Sequence, residues 1–585
     1  MTTRLAIFCL SGLLLNIGAL AEAPPTLARS IPAGAFAYAE TNGLAELVSR
    51  ARGSELYESI MASGSTQDFI ASEESKQLRR GIQWAKLIMR MDLWDAAEKL
   101  LGGPAAIALY PNPNNGGKQP ETLIIVRPED PKAWSKQRIW TDPLLAISAK
   151  RIERGKAPPG VKIYETKPEG GADKSYLALH RQWVLISSDA TLLKRGVLLL
   201  QTESEGESLA STGTHLKQLT SRLPGEHLAR AFVDTKLLSA EAGGRLGLPE
   251  KMDNPLGSLV FGGVLELLAH NDLACMALDF EEGTFTLRTS LDAKPADLDQ
   301  RFGVFFAGEE PSREIPEIPG LIGGVTMHRS LATWYQSRDD LIQEQVLPQF
   351  DKFETGIGNL LPGKDIGEDI MPLIGDNFTI VSAIQDYSYL DGEPGVKLPG
   401  FAMVFDLAQP DPQAGENMVQ LFFQTFLSIL NLQAAEQNRQ PWLIAAQDHD
   451  GTQITYARYF QKPKGEQLPT VFNFLPAAAR AGDQYVVSSS LGMCKNLIDH
   501  LKLPPEARAE NDDSRGRLNF AGLARALELN RQHLVASRLN EGRDPEHAID
   551  DIEHLFLALG QLGELETVGR ADATGFHFTI SGTLK

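Results

Sequence analysis

Apolar and polar positions alternate in short runs along this chain, and most runs end in turn residues or pass into a helical rhythm. In the first half, period-two alternation and compact apolar runs predict strands at 34–40, 104–110, 121–127, 161–166, 175–180, 183–187, 228–234, 273–280 and 284–291. The clearest is Phe285-Thr286-Leu287-Arg288-Thr289, which gives one buried and one wet face. The turn sequences EEG at Glu281 and DATG at Asp572 join adjacent strands, so antiparallel hairpins are expected there. Helices are expected over 43–62, 74–101, 131–148, 189–202 and 255–268. Asp189, Ser490 and Asp544 stand just before helical patterns, where a short polar side chain accepts from first-turn amides.

The same grammar occurs twice. IPAGAFAYAETNGLAELV from Ile31 is matched by IPGLIGGVTMHRSLATWY from Ile318, and GGPAAIALYPNP from Gly102 by IGDNFTIVSAIQ from Ile374. ETLIIVRPEDPKAW from Glu121 pairs with GFAMVFDLAQPDPQA from Gly400, and WVLISSDATLL from Trp183 with YVVSSSLGMC from Tyr485. GVKIYETKP from Gly160 pairs with GTQITYARY from Gly451, and the closing FTLRTSL from Phe285 pairs with FTISGTL from Phe578. Matches that keep their order over a whole domain predict a tandem duplication. The expected fold class is α+β: two copies of a mainly antiparallel-sheet domain with packed helices, each copy readable as two lobes because EHLARAFVDTKLLSA and GRLNFAGLARALELN restart the strand-then-helix pattern. The expected divisions are a signal peptide at 1–21, copy one at 31–292, a connecting segment and linker at 293–317, and copy two at 318–584. AGEEPSREIPEI, from Ala307, has almost no apolar period and is expected to form no core.

The N-terminus adds a destination. Arg4 gives a short positive region, Leu5 to Leu20 an apolar stretch, and Ala19-Leu20-Ala21 a small-x-small cleavage site before Glu22. Export to the periplasm or the extracellular space is expected, with a retained membrane tether as the alternative. No later run has the roughly 18 continuous apolar residues of a spanning helix, so no transmembrane span is expected after cleavage. With 75 Asp and Glu against 56 Lys and Arg, the chain carries a formal charge of -19, which disfavours a nucleic-acid partner held by charge. At 43% apolar and 22% charged residues the composition is that of an ordinary globular protein. Beyond the signal only Cys275 and Cys494 remain; both sit among apolar neighbours and read as buried thiols, with a bridge between them left open.

Candidate chemistry is sparse. The chain has no GxSxG, HExxH, Walker A or EF-hand pattern, and no GxGxxG opening a Rossmann unit. No cofactor is expected. DPEHAIDDIEHLFLALG from Asp544 predicts a helix whose apolar face is Ala548, Ile549, Ile552, Leu555, Phe556 and Leu559. His547, Asp550, Asp551 and His554 fall on the other face; imidazoles and carboxylates one turn apart are metal ligands or proton carriers in principle. The two histidines lie about 10.5 Å apart along the axis at about 1.5 Å per residue. A solvated back face is therefore the expected reading, with a metal site as the alternative. MVQLFFQTFLSILNL, from Met418, is the most apolar helix beyond the signal. Phe422, Phe423, Phe426, Leu427 and Leu430 are expected either to pack between lobes or to form a hydrophobic ligand or interface surface.

Pro32 with Ala35 to Ala39, and Val184 to Asp189, together with Pro319 and Val486 to Ser490 in the second copy, resemble the repeated modules of uncharacterised exported bacterial proteins. The resemblance implies repeated α+β modules and brings no catalytic residue with it. Three functions follow as expectations. The first is a non-enzymatic envelope scaffold that binds or organises another envelope protein. The second is a carrier or sensor of a small hydrophobic ligand, and the third a hydrolase assembled from dispersed residues.

Overall fold

The computed structural model describes residues 27–43, 52–62, 64, 66–67, 102–112, 120–128, 150–151, 158–159, 161–166, 174–202, 207–241, 245–306, 312–361, 363–388, 390–408, 412–436, 441–459, 464–503 and 512–584. The signal segment 1–21 and the helices expected over 74–101 and 131–148 lie outside the described residues, as does most of 43–62 before Arg52.

The alternating runs become strands nearly where the pattern puts them. The first half contributes β1 (Ala37–Thr41), β2 (Ala105–Tyr110), β3 (Glu121–Val126), β4 (Lys150–Arg151), β5 (Lys162–Thr166), β6 (Ser175–His180), β7 (Trp183–Ser187), β8 (Ala229–Asp234), β9 (Leu273–Glu281) and β10 (Thr284–Leu291). The second half contributes β11 (Leu321–His328), β12 (Ile374–Ala383), β13 (Asp391–Pro394), β14 (Gly400–Leu407), β15 (Trp442–His449), β16 (Thr452–Tyr459), β17 (Lys464–Leu468), β18 (Ala477–Ala481), β19 (Gln484–Ser488), β20 (Ser514–Asn519), β21 (Leu562–Asp572) and β22 (Gly575–Leu584). Apart from a small parallel pair of β13 and β17, these strands form one 20-stranded sheet whose neighbours are all antiparallel. The fold is thus mixed α+β around one large antiparallel sheet.

The sheet has a seam at its middle, where β10 pairs with β22. Outward from β10 the order is β9, β8, β1, β2, β3, β7, β6, β5, β4. Outward from β22 it is β21, β20, β11, β12, β14, β19, β18, β16, β15. At the seam, Phe285 lies opposite Gly582 and Leu291 opposite Phe576. Thr284 and Gly575 are the first residues after their turns, since they pair with Glu281 and Asp572. By hairpin position Phe285 and Phe576 are each the second residue of their strand, and Phe578 is the fourth. A two-residue offset keeps every side chain on the same face, so the apolar pattern cannot detect it.

Helices cover both faces of the sheet. The α-helices of six or more residues, among the described residues, are α1 (Glu55–Ala62), α2 (Ala190–Thr202), α3 (Thr214–Arg222), α4 (Thr235–Glu241), α5 (Pro255–His270), α6 (Leu331–Gln336), α7 (Leu347–Leu360), α8 (Pro412–Glu436), α9 (Leu491–Leu501), α10 (Phe520–Glu528), α11 (Arg531–Asn540) and α12 (Pro545–Gln561). Leu193 and Val197 of α2 and Leu216 and Leu219 of α3 bury against Leu123, Leu185 and Phe232. In the second half Cys494, Leu497 and Ile498 of α9 bury against Val381, Val404 and Val486. A third core crosses between halves, from Leu259 and Leu267 of α5 through Phe302, Phe305 and Phe306 to Phe378, Phe405 and Phe423.

The connecting segment before Ala307, for which the sequence carries no expectation of burial, packs into a core, and the described part of the acidic stretch after it departs from expectation. Phe302, Phe305 and Phe306 are core residues, and Gly262 and Gly263 of α5 leave the room that Phe305 occupies: a Cβ on Gly263 would sit 2.4 Å from the Phe305 Cβ. Farther on, the acidic stretch is fastened to the second half. Ser312 and Ile318 are buried, and the Arg313 guanidinium donates to Asp406 at 3.2 Å and to Asp483 at 2.7 Å. Residues 312–318 form part of a core because one arginine and two isoleucines act where the apolar period is silent.

Candidate functional site

The apolar helix α8 lies on the sheet of the second half, over β14, β15, β16 and β18, with α7 alongside. Val419, Phe423 and Leu427, spaced four apart, are buried against the sheet, whereas Phe422, Phe426 and Leu430 are half-buried. Polar side chains along the helix reinforce its seat. Gln420 donates to the Thr455 hydroxyl at 3.0 Å, and the Asn431 amide exchanges two hydrogen bonds with the main chain of Trp442, at 2.8 and 2.9 Å. The opposite face carries Leu421 at 43% and Leu432 at 59% exposure. By length and composition α8 is long and apolar enough to cross a membrane, a property the continuous-run test misses because Gln420, Gln424, Ser428 and Asn431 interrupt it. Of its stretch Asn417–Glu436, 22% is buried.

The His–Asp helix α12 is turned differently from its apolar period. Asp544 caps it by accepting from the Glu546 amide at 3.0 Å, and Pro545 opens it, as expected. Its buried residues are Ala548, Asp551 and Ile552, while Ile549 and Leu555 are exposed. Asp551, expected on the wet face, is 7% exposed because its Oδ1 accepts from the Gly64 amide at 2.7 Å, and the Arg543 guanidinium lies 3.7 Å from its Oδ2. The cause is α1 of the first half, which docks on α12; Gln561 at the far end donates to Glu55 at 2.6 Å. His547 is exposed and stands 3.7 Å from Asp544, and the His554 ring bonds the Asp550 carbonyl at 2.8 Å. His547, Asp550, Asp551 and His554 therefore do not converge. Among the described residues no three His, Cys, Asp or Glu side chains are grouped as metal ligands.

The hydroxyls at the strand-to-helix junctions act as caps. Asp189 accepts from the Leu192 amide at 2.7 Å and Ser490 from the Met493 amide at 3.3 Å, each at the start of a helix that covers its half of the sheet. Cys275 and Cys494 are free thiols in separate cores, and burial pushes both up to about 12. A protonated buried thiol is a poor nucleophile.

Three polar constellations carried no local sequence signal. Arg329, just past β11, is 3% exposed and enters the first half, where it donates to the carbonyls of Leu259 at 2.7 Å, Val260 at 3.0 Å and Phe305 at 2.7 Å. Burial among neutral acceptors pulls its guanidinium down to about 10. His227 shares its Nδ1 with both Asp279 oxygens at 3.0 Å, with Arg288 on the same carboxylate. Burial raises the Asp279 carboxyl, and His227 and Arg288 outweigh it, leaving Asp279 below the usual carboxylate range. Finally, Glu317, Leu321, Arg517, Asn519, Arg525 and Glu564 line a cavity of about 330 Å³. Glu317 and Glu564 both hold Arg517, so its charge is already met within the wall.

No family model and no curated protein matches the chain. Among solved structures it is similar to three crystal forms of TP0453. Crystal form III is 10% identical, with a TM-score of 0.25, covering 48% of this chain and 85% of that one. Form I is 10% identical at a TM-score of 0.23, over 48% and 83%, and form IV is 11% identical at 0.24, over 46% and 81%. TM-scores of this size assign neither a fold nor an activity.

Proposed function

We propose that this chain is an exported, non-enzymatic binding protein of the cell envelope that takes a small hydrophobic ligand, of the acyl-chain class, along α8. The observation that carries this reading is the mismatch between what α8 offers and what the fold encloses. Val419, Phe423 and Leu427 are buried against the sheet, yet Leu421 at 43% and Leu432 at 59% exposure stand out on the opposite face. Apolar surface left in water forfeits about 25 cal/mol per Å², a cost that a ligand recovers. Native mass spectrometry of protein recovered from its own envelope should find a retained apolar small molecule. Titration with a fluorescent fatty acid should then show binding that Leu421→Asp with Leu432→Asp weakens about tenfold or more without shifting the unfolding midpoint. Retention of no small molecule together with no fatty-acid binding would defeat the reading.

The scaffold reading has an observation of its own. We infer that the two halves are copies of one module, because the outward strand orders agree rank for rank once β13 and β17 are set aside. Numbering the strands within each half gives 10, 9, 8, 1, 2, 3, 7, 6, 5, 4 both times. The seam supports the same inference. The second residue of β10 faces the eighth of β22 and the reverse, which is the symmetry of an isologous interface. Superposing 31–292 on 318–584 with Val184–Ser187 and Tyr485–Ser488 in different sheet positions would overturn it.

A further inference from the structure

One end of the sheet is left open. Among the described residues β15 pairs only with β16, and it is eight residues long with an unbroken register. The direction of the free groups follows from the pairing. Asn431 reaches both main-chain groups of Trp442 from α8, so those groups point away from β16. In a strand the N–H and C=O of one residue point the same way, and the direction alternates along the chain. Ile444, Ala446 and Asp448 therefore present their N–H and C=O groups outward, while Leu443, Ala445 and Gln447 pair with β16. The next strand agrees: Ala457 turns its amide away from β15, to the Pro476 carbonyl at 2.8 Å. Ile444, Ala446 and Asp448 are also the exposed residues of β15, Ile444 at 43%.

Natural sheets guard such an edge with proline, lysine, a bulge or brevity. From Trp442 to Gln447 β15 has none of these. We propose that β15 is a self-association edge, and that two copies of the chain join by antiparallel pairing of their β15 strands with Ala446 at the dyad. Three features favour a second copy as the occupant. Ile444, Ala446 and Asp448 share one parity, so a dyad on Ala446 sets their outward groups against one another, while the outward groups of Trp442 stay with Asn431. In that register Ile444 of each copy faces Asp448 of the other, and the two Asp448 residues stand about 14 Å apart at about 3.4 Å per residue, which avoids a like-charge pair. The seam between β10 and β22 already joins two edges of this chain by the same symmetric antiparallel pairing. The net charge of -19 opposes association at long range, so screening it should strengthen the dimer.

Sedimentation equilibrium of the full chain tests this. The expected result is a monomer–dimer equilibrium that tightens with added salt. Ala446→Pro removes an outward N–H without touching the bonds to β16, and Ile444→Lys places a charge on the edge; each should weaken dimerisation about tenfold or more. Both variants should keep the wild-type circular dichroism. Should Ala446→Pro fail to fold, Ile444→Lys decides alone, because its side chain is exposed in the monomer. A chain that stays monomeric at every concentration, or a dimer that Ile444→Lys leaves intact, would overturn the proposal.

Discussion

Helices α5 and α12 precede the last hairpin of their respective halves, and both begin with an Asx residue followed by proline: Asn254-Pro255 and Asp544-Pro545. From there they diverge. α5 is apolar and glycine-bearing, and it offers backbone carbonyls at Leu259 and Val260 to Arg329 from the second half. α12 is polar, and it offers the Asp551 carboxylate to the Gly64 amide of the first half. Each helix is the place where the other half docks, but the charge has changed sides. In one contact the visitor brings a buried cation to neutral acceptors; in the other the host holds a buried anion for a neutral donor. The two contacts differ in cost, since a buried guanidinium whose direct acceptors are neutral carbonyls, with the Asp513 carboxylate only partly offsetting its desolvation, depends on its hydrogen bonds.

That difference predicts unequal effects. Arg329→Ala should cost about 3–5 kcal/mol, by losing charge-assisted bonds and leaving a cavity under Phe305. Arg329→Lys should not restore stability, because an ammonium has no fork to span the Leu259, Val260 and Phe305 carbonyls together. Asp551→Ala should cost less, about 1–3 kcal/mol, because it leaves one part-buried amide, that of Gly64, without its acceptor. Urea denaturation of the three variants measures this, and equal losses at Arg329 and Asp551 would break the contrast. Glycines sharpen it further. Gly263→Ala should destabilise by about 1–3 kcal/mol through collision with Phe305. Gly560→Ala on α12 meets nothing within 4 Å and should stabilise by up to about 1 kcal/mol.

The same pair of helices shows what the sequence carries. The strands were legible because period two is set locally by which face is wet; the expected 175–180, 183–187 and 284–291 agree with β6, β7 and β10 residue for residue. The caps at Asp189, Ser490 and Asp544 were legible for the same reason, each acting within three residues. Helix rotation was not. Asp551 is buried by an amide 487 positions away, and no periodicity within α12 encodes that neighbour. Arg329 was equally silent, since a single arginine after a strand reads as surface until Leu259, Val260 and Phe305 surround it. Among the candidate side chains of α8, composition announced the helix, while the division into a buried row and a half-buried flank needed the sheet and α7 in place.

The smallest expected effect belongs to the residues that first suggested chemistry. If α12 differs from α5 because one carboxylate, Asp551, turns inward, then the rest of its polar face is ordinary solvated surface. His547 is exposed and 3.7 Å from the Asp544 carboxylate, a distance at which an ion pair in water contributes little. His554 bonds the carbonyl one turn back, which the helix already satisfies from within. Removing both rings should therefore leave Asp544 capping the Glu546 amide and Asp551 holding Gly64. On this argument His547→Ala with His554→Ala should change stability by less than about 1 kcal/mol. Elemental analysis of the natively purified protein should find the same metal content before and after the double substitution. A loss comparable to that of Asp551→Ala, accompanied by one metal per chain that disappears with the two rings, would make this face a binding site rather than a solvated surface.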